Sequence, residues 1–242
     1  MTRTSTLGIR VDSIEHSDLP RLVDWFARPA ATALFTFVNP ASVILAERDP
    51  EYRLLLEEFD AVLPDGIGMC WAVRLVHGLP AARVSFDSTS LAPIVFQHAQ
   101  RENLTVALVG GRPGVARRAA DQLVRAFPTL PIVASLDGYG DHTRKIGELT
   151  ELRPAVVIIG MGASIQERFL LRLVATGWSG FGFTCGGYLD QLVDGMHYYP
   201  RWVDAANLRW AYRLIREPRR LSRRYGMEYP YFAARLALSL LS

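Results

Sequence analysis

The sequence predicts an α/β protein with a Rossmann-like, largely parallel and doubly wound sheet, followed by an arginine-rich helical appendage. Short apolar segments at residues 33–38, 61–63, 104–109, 131–135, 155–159 and 180–184 alternate with segments of helical periodicity. Fully apolar strands are typical of a parallel sheet that helices cover on both faces. The composition agrees with this class, since 50% of the 242 residues are hydrophobic and 21% are charged.

The charge distribution predicts two domains, an α/β domain at residues 1–200 and a basic amphipathic helical appendage at residues 201–242. The appendage contains nine arginines and three acidic residues, a net charge of +6, whereas residues 1–200 carry a net charge of −3. An arginine-rich segment indicates an anionic partner. On charge alone that partner is nucleic acid, phospholipid headgroups or a diphosphate ligand.

Two further features narrow the class of protein. The first residues lead into no apolar targeting segment, and no uninterrupted apolar run reaches the roughly 18 to 20 residues of a membrane-spanning helix. The sequence therefore predicts a cytoplasmic protein. Cys70 and Cys185 show no CxxC or Cys/His spacing, so neither a disulfide framework nor a zinc site is expected.

The turn Pro64-Asp65-Gly66 places a single carboxylate between apolar segments. Proline fixes φ at about −65° and glycine permits conformations that other residues resist, so the turn can hold Asp65 at a defined angle. The same pattern is typical of an ordinary surface turn. The strand at residues 33–38 ends at Asn39-Pro40, where Asn39 can cap the next helix. We expect the strand ends that carry Asn39 and Asp65 to meet at one edge of the sheet.

Glycine-rich turns follow the later strands, at the positions where ligands bind to doubly wound sheets. Their backbone amides can approach a phosphate closely, although tight strand-to-helix connections would favour the same glycines. The candidate binding residues in these turns are Gly110, Gly111, Gly162, Gly186 and Gly187.

Polar side chains near these turns supply further candidates. Arg83 is the only cation in the loop at residues 83–88 and could bind a phosphate or carboxylate, although most loop arginines are solvated. Ser164 and Glu167 have the spacing of a helix capping box. Gln166 is then expected to be available to a ligand.

The appendage is predicted to form amphipathic helices. Arg209, Arg213 and Arg216 lie on one stripe of a helix at residues 203–216, and Pro218 breaks or restarts that helix. Residues 229–241 form an aromatic and aliphatic amphipathic segment. A solvated arginine face would explain the pattern, but arginine is also the residue suited to bidentate phosphate contacts.

These patterns together resemble the WecG/TagA/CpsF glycosyltransferases of bacterial surface-polysaccharide synthesis over about residues 33–225. The likeness depends on seven motifs in the family's order. They are Val38-Asn39-Pro40, Leu63-Pro64-Asp65-Gly66-Ile67-Gly68, Gly110-Gly111-Arg112-Pro113-Gly114, Gly160-Met161-Gly162-Ala163 with Gln166-Glu167, Gly186-Gly187 with Asp190, Pro200-Arg201-Trp202, and Leu208-Arg209-Trp210 through to Glu217-Pro218-Arg219-Arg220-Leu221.

The resemblance implies an inverting, metal-independent transfer of a sugar from a UDP-sugar to a polyprenyl-diphosphate-linked sugar. It implies action at the inner face of the cell membrane, no cofactor and no nucleic acid, and it leaves a homo-oligomer open. The family's proposed base falls on Asp65, its acceptor-site asparagine on Asn39, and its other pocket residues on Arg83 and Gln166. The tail candidates for substrate or lipid contact are Arg213, Arg216 and Arg220.

This sequence departs from the family pattern at Phe37, Ser164-Ile165 and His197-Tyr198-Tyr199. The departures concern the sugar more than the reaction, and the donor is expected to be of the glucose or N-acetylmannosamine type. Two other function classes remain open. One is an NAD(P)-dependent oxidoreductase, which lacks its GxGxxG motif here. The other is a non-enzymatic module whose basic tail binds nucleic acid or lipid.

Overall fold

The computed structural model describes residues 1–27, 32–196, 198, 200, 203, 209–216 and 218–241. The strands are β1 Thr2–Thr6, β2 Ile9–Ser13, β3 Ala33–Val38, β4 Ala61–Pro64, β5 Val106–Gly110, β6 Ile132–Leu136, β7 Val156–Gly160 and β8 Phe181–Thr184. Strands β3 to β8 form one six-stranded sheet in the order β4-β3-β8-β7-β5-β6. All its strand pairs are parallel. The predicted α/β class and parallel sheet are confirmed.

Helices follow most of these strands, as the alternating pattern predicts. They are α1 Pro40–Arg48, α2 Pro50–Glu57, α3 Ile67–His77, α4 Leu91–Arg101, α5 Val115–Ala126, α6 His142–Leu152, α7 Ile165–Ala175, α8 Tyr188–Val193, α9 Arg209–Arg216, α10 Pro218–Arg223 and α11 Tyr229–Leu241. The segment His16–Ala27 is a 3₁₀ helix, and Arg224–Glu228 is a π-helical turn.

Most strands of the sheet contribute to two hydrophobic cores, one on each face. In β7, Val156 and Ile158 pack into the core formed with α4 and α5, whereas Val157 and Ile159 pack into the core formed with α3 and α7. Successive side chains of a strand point to opposite faces, so a strand that is covered on both faces is apolar throughout. This packing explains why the central strands lack the alternation of a half-exposed sheet.

An N-terminal hairpin that the sequence did not reveal covers the β4 edge of the sheet. Strands β1 and β2 pair antiparallel. The carboxylate of Asp12 accepts a hydrogen bond from the backbone N–H of Val62 in β4 at 2.8 Å. Arg10 Nη2 donates to Asp12 at 2.8 Å, and Arg10 Nη1 donates to the carbonyl of Phe59 at 2.6 Å. A buried ion pair therefore satisfies part of an edge that would otherwise expose unpaired backbone groups.

Some local predictions were wrong. The spacing of apolar residues predicts a helix at residues 50–58 with Leu54, Leu55 and Phe59 on its buried side. In α2, however, Leu54 is 67% exposed, and the helix buries Tyr52 and Leu56. Helix α6 was not predicted at all, because its sequence mixes charged and apolar residues without a strong stripe. In contrast, Asn39 caps α1 and Pro40 occupies its first position, as expected.

The last helix packs against the body of the protein. Residues 229–241 form α11 as predicted, and its Phe232 is buried against α1 and α3. A Cβ atom built on Gly68 would lie 3.0 Å from Pro40 Cγ of α1 and 3.7 Å from the ring of Phe232. At this glycine α3 therefore packs tightly against α1 and is in ordinary van der Waals contact with α11. Tyr231 donates to Glu47 at 3.0 Å, and Arg235 lies 2.9 Å from the same carboxylate. The division between residues 200 and 201 stays a prediction.

The length of a helix decides whether it can cross a bilayer. Helix α11 has 13 residues, a length of about 20 Å. Within the described part of the chain, no helix combines the length and the apolar character needed to span a membrane.

We expect Arg10→Ala to lower the free energy of unfolding by about 3–5 kcal/mol, because it leaves the buried carboxylate of Asp12 without its main partner. Arg3 provides a matched control. Its Nε also lies 3.4 Å from Asp12, but the Arg3 side chain is 60% exposed. Arg3→Ala should therefore cost less than about 1 kcal/mol. Equal losses for the two variants in chemical denaturation would contradict this interpretation.

Candidate active site

A cavity of about 1950 Å³ opens at the carboxyl ends of the parallel strands. The loops that follow β3, β4, β5, β7 and β8 form its floor, and residues of the C-terminal segment form part of its wall. Parallel strands all end at the same edge of a sheet, so residues far apart in sequence meet there. The predicted site residues that line the cavity are Asn39, Asp65, Arg83, Gly111, Gly162, Gln166, Gly186, Gly187 and Arg216.

Asp65 lies in the turn between β4 and α3, directly beside the end of β3. Its backbone N–H donates to the carbonyl of Val38 at 2.8 Å, which fixes the turn to the neighbouring strand. Gly66 follows with a φ of 88°, a conformation that favours glycine. The Asp65 side chain is 37% exposed, and its carboxylate lies 3.7 Å from Arg83 Nη1. The turn thus presents the carboxylate to the cavity.

Arg83 is held in place by the loop that precedes α4. Its Nη1 donates to Ser85 Oγ at 2.8 Å and to Asp87 Oδ2 at 3.2 Å, and its Nη2 donates to Thr89 Oγ1 at 3.3 Å. Burial lowers the pKa of Arg83, but the carboxylates of Asp87 and Asp65 outweigh that effect and raise the pKa above its usual value. Arg83 is therefore a fixed cation beside Asp65.

Asp87 is the second carboxylate next to Arg83, and sequence reasoning did not identify it. It accepts hydrogen bonds from Ser85 Oγ at 2.5 Å and from the backbone N–H and hydroxyl of Thr89 at 2.8 and 2.7 Å. Its side chain is only 14% exposed. Asp87 shapes the loop, and Asp65 is the more exposed of the two carboxylates.

Asn39 both caps α1 and lines the cavity. Its Oδ1 accepts from the backbone N–H of Ala41 at 3.0 Å, and its own backbone N–H donates to Ser42 Oγ at 3.1 Å. Among the described residues, no group accepts a hydrogen bond from Asn39 Nδ2. The cap therefore fixes the side chain while its N–H₂ group can still bind a ligand.

Gln166 is less available than expected, because both ends of its amide already have partners. Its Nε2 donates to Glu167 Oε1 at 3.0 Å, and its Oε1 accepts from the backbone N–H of Gly186 at 3.2 Å. The side chain is buried at the base of the cavity. Gln166 links the start of α7 to the loop after β8, and only its remaining N–H can be offered to a ligand.

Glu167 does not complete the predicted capping box. Ser164 has a φ of 61° and its side chain makes no capping hydrogen bond. Instead, Glu167 is fully buried, and its Oε1 accepts a hydrogen bond from Thr36 Oγ1 at 2.8 Å. Thr184 Oγ1 lies 2.8 Å from Thr36 Oγ1 and donates to it, since the Thr36 hydroxyl proton is used by Glu167. The short-range pattern was thus overridden by contacts with β3 and β8.

The environment of Glu167 favours its neutral form. Burial raises the pKa of Glu167, and the hydrogen bonds from Gln166 and Thr36 only partly oppose this effect. Within the described residues, its second oxygen, Oε2, has no hydrogen-bond partner. Burial, and to a smaller extent Glu167, also raise the pKa of the neighbouring Tyr52. A buried acid that no local motif explains therefore lies directly beneath the cavity.

The glycine-rich turns have two different roles. Gly111, Gly162, Gly186 and Gly187 line the cavity, as the sequence suggested. Gly110 is buried at the end of β5 and is not among the described lining residues. A Cβ atom on Gly110 would lie 2.2 Å from the carbonyl oxygen of Gly160 on β7. The absence of a side chain at Gly110 allows β5 and β7 to lie close together. This is the structural alternative to phosphate binding that was given above for the glycine-rich turns.

Arginines surround the cavity on several sides. Arg216 lies 3.8 Å from Asp194 and over the rings of Tyr198 and Tyr212, at 5.8 and 5.3 Å from their centroids. The side chains of the other predicted tail residues, Arg213 and Arg220, lie outside the described residues. Sequence reasoning did not single out Arg112 and Arg118, which also line the cavity. The sequence signal that could have identified these two arginines was their position after the Gly110-Gly111 turn.

In the ranges that the structure describes, no group of three or more His, Cys, Asp or Glu residues is arranged to hold a metal ion.

The buried position of Glu167 leads to a pH-dependent prediction. Because its folded-state pKa is raised, the wild type loses stability as the pH rises from the ordinary glutamate pKa of about 4.3 through the folded pKa. Gln does not titrate and keeps the acceptor for Thr36. The melting temperature of Glu167→Gln relative to wild type should therefore increase between about pH 5 and 8. Glu167→Ala, which leaves two donors unpaired, should cost roughly 1–3 kcal/mol.

Thermal unfolding at several pH values tests this expectation. Glu151→Gln on α6 is the control, because Glu151 is exposed and its replacement should change the melting temperature equally at every pH. If Glu167→Gln also runs parallel to the wild type over the whole range, Glu167 is not held in its neutral form by burial.

Three known proteins with similar sequences are glycosyltransferases. A galactosyltransferase of Shigella boydii, named UDP-Gal:alpha-D-GlcNAc-diphosphoundecaprenol beta-1,4-galactosyltransferase, is 26% identical over 207 residues, which are 84% of this chain and 85% of that protein. An N-acetylglucosaminyldiphosphoundecaprenol N-acetyl-beta-D-mannosaminyltransferase of Bacillus subtilis (strain 168) is 26% identical over 197 residues, 79% of this chain and 74% of that protein. A protein of the same name from Bacillus spizizenii is 24% identical over 192 residues, with the same coverage of 79% and 74%.

The family comparison covers more of the chain than any of these relatives. The family model described as Glycosyl transferase WecG/TagA/CpsF family matches residues 4–242, which include the cavity and α11. The interpretation as a glycosyltransferase therefore has support that neither the oxidoreductase nor the non-enzymatic module has. The chain belongs to the WecG/TagA/CpsF family of glycosyltransferases.

Proposed function

We propose that this glycosyltransferase moves a sugar from a UDP-sugar to a polyprenyl-diphosphate-linked sugar, with inversion at the anomeric carbon, in the synthesis of exopolysaccharide, teichoic acid or a related surface glycan. The observation that carries the proposal is the position of Asp65, a carboxylate that is 37% exposed and lines a cavity of about 1950 Å³ beside a fixed arginine. The relatives' names, which specify UDP-galactose or diphosphoundecaprenol-linked N-acetylglucosamine, support the same class of substrates.

In the proposed mechanism Asp65 is the general base. It takes the proton from the acceptor hydroxyl as that oxygen forms a bond to the anomeric carbon of the donor. The bond from this carbon to the UDP oxygen breaks on the opposite face, and its electron pair leaves with the diphosphate. Asn39, whose Nδ2 group faces the same region, would orient the acceptor sugar.

Negative charge that builds up on the leaving diphosphate needs stabilisation by the protein. We place the diphosphate near the loops after β5 and β7, where Arg112 and Arg118 line the cavity together with Gly111 and Gly162. The N-terminus of α7 adds backbone N–H groups and the positive end of a helix dipole. One preorganised donor of this kind is typically worth roughly 3 kcal/mol in the transition state. Transfer without a metal ion is part of this proposal, and full activity in the presence of a chelator would support it.

The identity of the donor sugar is a separate question. From the family resemblance we expect a donor of the glucose or N-acetylmannosamine type, whereas the name of one relative specifies UDP-galactose. Phe37 and Tyr198 line the cavity, so these side chains are placed where they could select the sugar. Assays with a panel of UDP-sugars and one lipid-diphosphate acceptor would identify the donor.

We further propose that the protein works at the inner surface of the cell membrane as a peripheral protein. A lipid-linked acceptor requires the cavity to reach the bilayer. The C-terminal segment, residues 201–242 with a net charge of +6, supplies cations together with exposed leucines at positions 238, 240 and 241 of α11. Each cation near an anionic surface contributes roughly 1 kcal/mol of binding.

Asp65→Asn is expected to lower turnover by roughly 10² to 10⁴, which is the usual contribution of a positioned general base. Its melting temperature should stay close to that of the wild type, because the side chain is exposed. Steady-state transfer with the best donor of the panel provides the measurement. Asp121→Asn on the exposed side of α5 is the control and should leave turnover unchanged. Normal turnover of Asp65→Asn would remove Asp65 from the mechanism.

Arg216→Ala separates a role in the cavity from a role at the lipid surface. Because Arg216 lines the cavity, we expect transfer to a water-soluble short-chain acceptor to fall about 10- to 100-fold, as the loss of one charge-assisted contact would cause. Sedimentation with anionic vesicles should change little. Arg125→Ala, an exposed arginine of α5, is the matched control. Unchanged transfer combined with salt-sensitive loss of vesicle binding would assign Arg216 to the lipid surface instead.

A further inference from the structure

Exposed apolar side chains are concentrated on two helices beside the cavity. Of the 16 exposed large hydrophobic residues among the described part of the chain, seven lie on α3 and α11, which together contain only 24 residues. Those on α3 are Ile67, Trp71 and Leu75; those on α11 are Tyr231, Leu238, Leu240 and Leu241. Single exposed apolar residues are common, but a continuous group of them indicates a binding surface.

On α3 these residues form one stripe that begins next to the proposed base. Ile67, Trp71 and Leu75 are spaced four residues apart, so they lie along one face of the helix. Trp71 is 55% exposed and Leu75 is 58% exposed, whereas the opposite face is buried in the core. Ile67 follows Asp65 by two residues. From Ile67 to Leu75 the stripe extends about 12 Å, the length of a short run of isoprene units.

Helix α11 provides the second side of an apolar groove. It packs against α3 near Gly68, where Phe232 is buried. Ala233 and Leu236 of α11 line the same cavity as Ile67 and Trp71 of α3. We call these four residues, together with Leu75, the α3–α11 groove. It connects the surroundings of Asp65 with the outer surface of the protein.

We propose that the α3–α11 groove binds the first isoprene units of the acceptor's polyprenyl chain. This inference rests on the proposed function, because only a lipid-linked acceptor has such a chain. If the acceptor sugar reaches Asp65, its diphosphate lies within the cavity and the lipid must leave through one wall. The wall opposite carries Arg112, Arg118 and His142, which suit a diphosphate and not a hydrocarbon. The groove is an apolar exit from the cavity, and it begins beside Asp65, the proposed general base.

The groove is favoured as a site for the lipid chain over a general contact with the bilayer because four of its five residues, all except Leu75, line the cavity. The exposed leucines at the end of α11 are not part of the groove, and we assign them to the bilayer contact proposed above. If the α3–α11 groove recognises the polyprenyl chain, the affinity for the acceptor depends on the length of that chain even in detergent micelles, where no bilayer is present. If the apolar residues only contact the bilayer, the affinity in micelles does not depend on chain length.

The test compares a long-chain polyprenyl diphosphate with a short-chain analogue in micelles, by equilibrium binding. The wild type should bind the long chain at least about tenfold more tightly, and Trp71→Ser combined with Leu75→Ser should reduce that preference about tenfold. The control combines Val124→Ser and Leu152→Ser, which replace similarly exposed residues of α5 and α6 and should keep the preference. Melting temperatures verify that all the variants are folded.

Several results would overturn the proposal. A wild type without chain-length preference, or a groove variant that keeps the full preference, would do so directly. A variant that keeps the preference but no longer sediments with vesicles free of acceptor would assign the stripe to the bilayer, and one that changes its oligomeric state would assign it to a protein interface. A wild type that prefers the long chain but transfers no sugar from any UDP-sugar would contradict the proposed function and leave the groove in place.

Discussion

The geometry of the cavity depends on a small buried hydrogen-bond network around Glu167. Its Oε1 binds the Thr36 hydroxyl of β3 and the Gln166 amide of α7, and Thr184 of β8 donates to Thr36. Buried polar groups are costly unless they are paired, so this network permits only one relative position of the three elements. Gln166 extends the network to the Gly186 turn. The ends of β3 and β8 and the start of α7 are thereby held together below the space where a substrate would bind.

The charges above this network are arranged unequally. Asp65 and Asp87 lie on the β4 side around a single fixed cation, Arg83, while Arg112 and Arg118 line the β5 side among the glycine turns. Proton abstraction requires an available carboxylate, and departure of a diphosphate requires cations and N–H groups. The two requirements are met on opposite sides of one cavity. The hydrogen bonds of Arg83 to Ser85, Asp87 and Thr89 hold its guanidinium in the loop, 3.7 Å from the Asp65 carboxylate.

The sequence was sufficient to predict the parallel sheet and the meeting of Asn39 and Asp65, because buried strands and their terminal turns are local signals. It was insufficient for Glu167, where a capping-box spacing offered a complete local explanation and only the partner Thr36, 131 residues away, shows the actual role. The predicted burial of Leu54 was wrong for the same reason, since contacts with other elements and not helical spacing decide which face of α2 is buried. The N-terminal hairpin was missed because Arg10 and Asp12 are polar residues in buried positions.

Helix α11 packs against the two helices that begin at the proposed site. Phe232 contacts α3 at Gly68, three residues after Asp65, and the ion pair between Arg235 and Glu47 fixes the helix to α1, which Asn39 caps. Any displacement of α11 by lipid would therefore act on both helices that start at the site. For the same reason, removing residues 201–242 would expose buried residues of the body as well as delete arginines. Point substitutions on the exposed faces are thus the changes that can distinguish membrane contact from completion of the site.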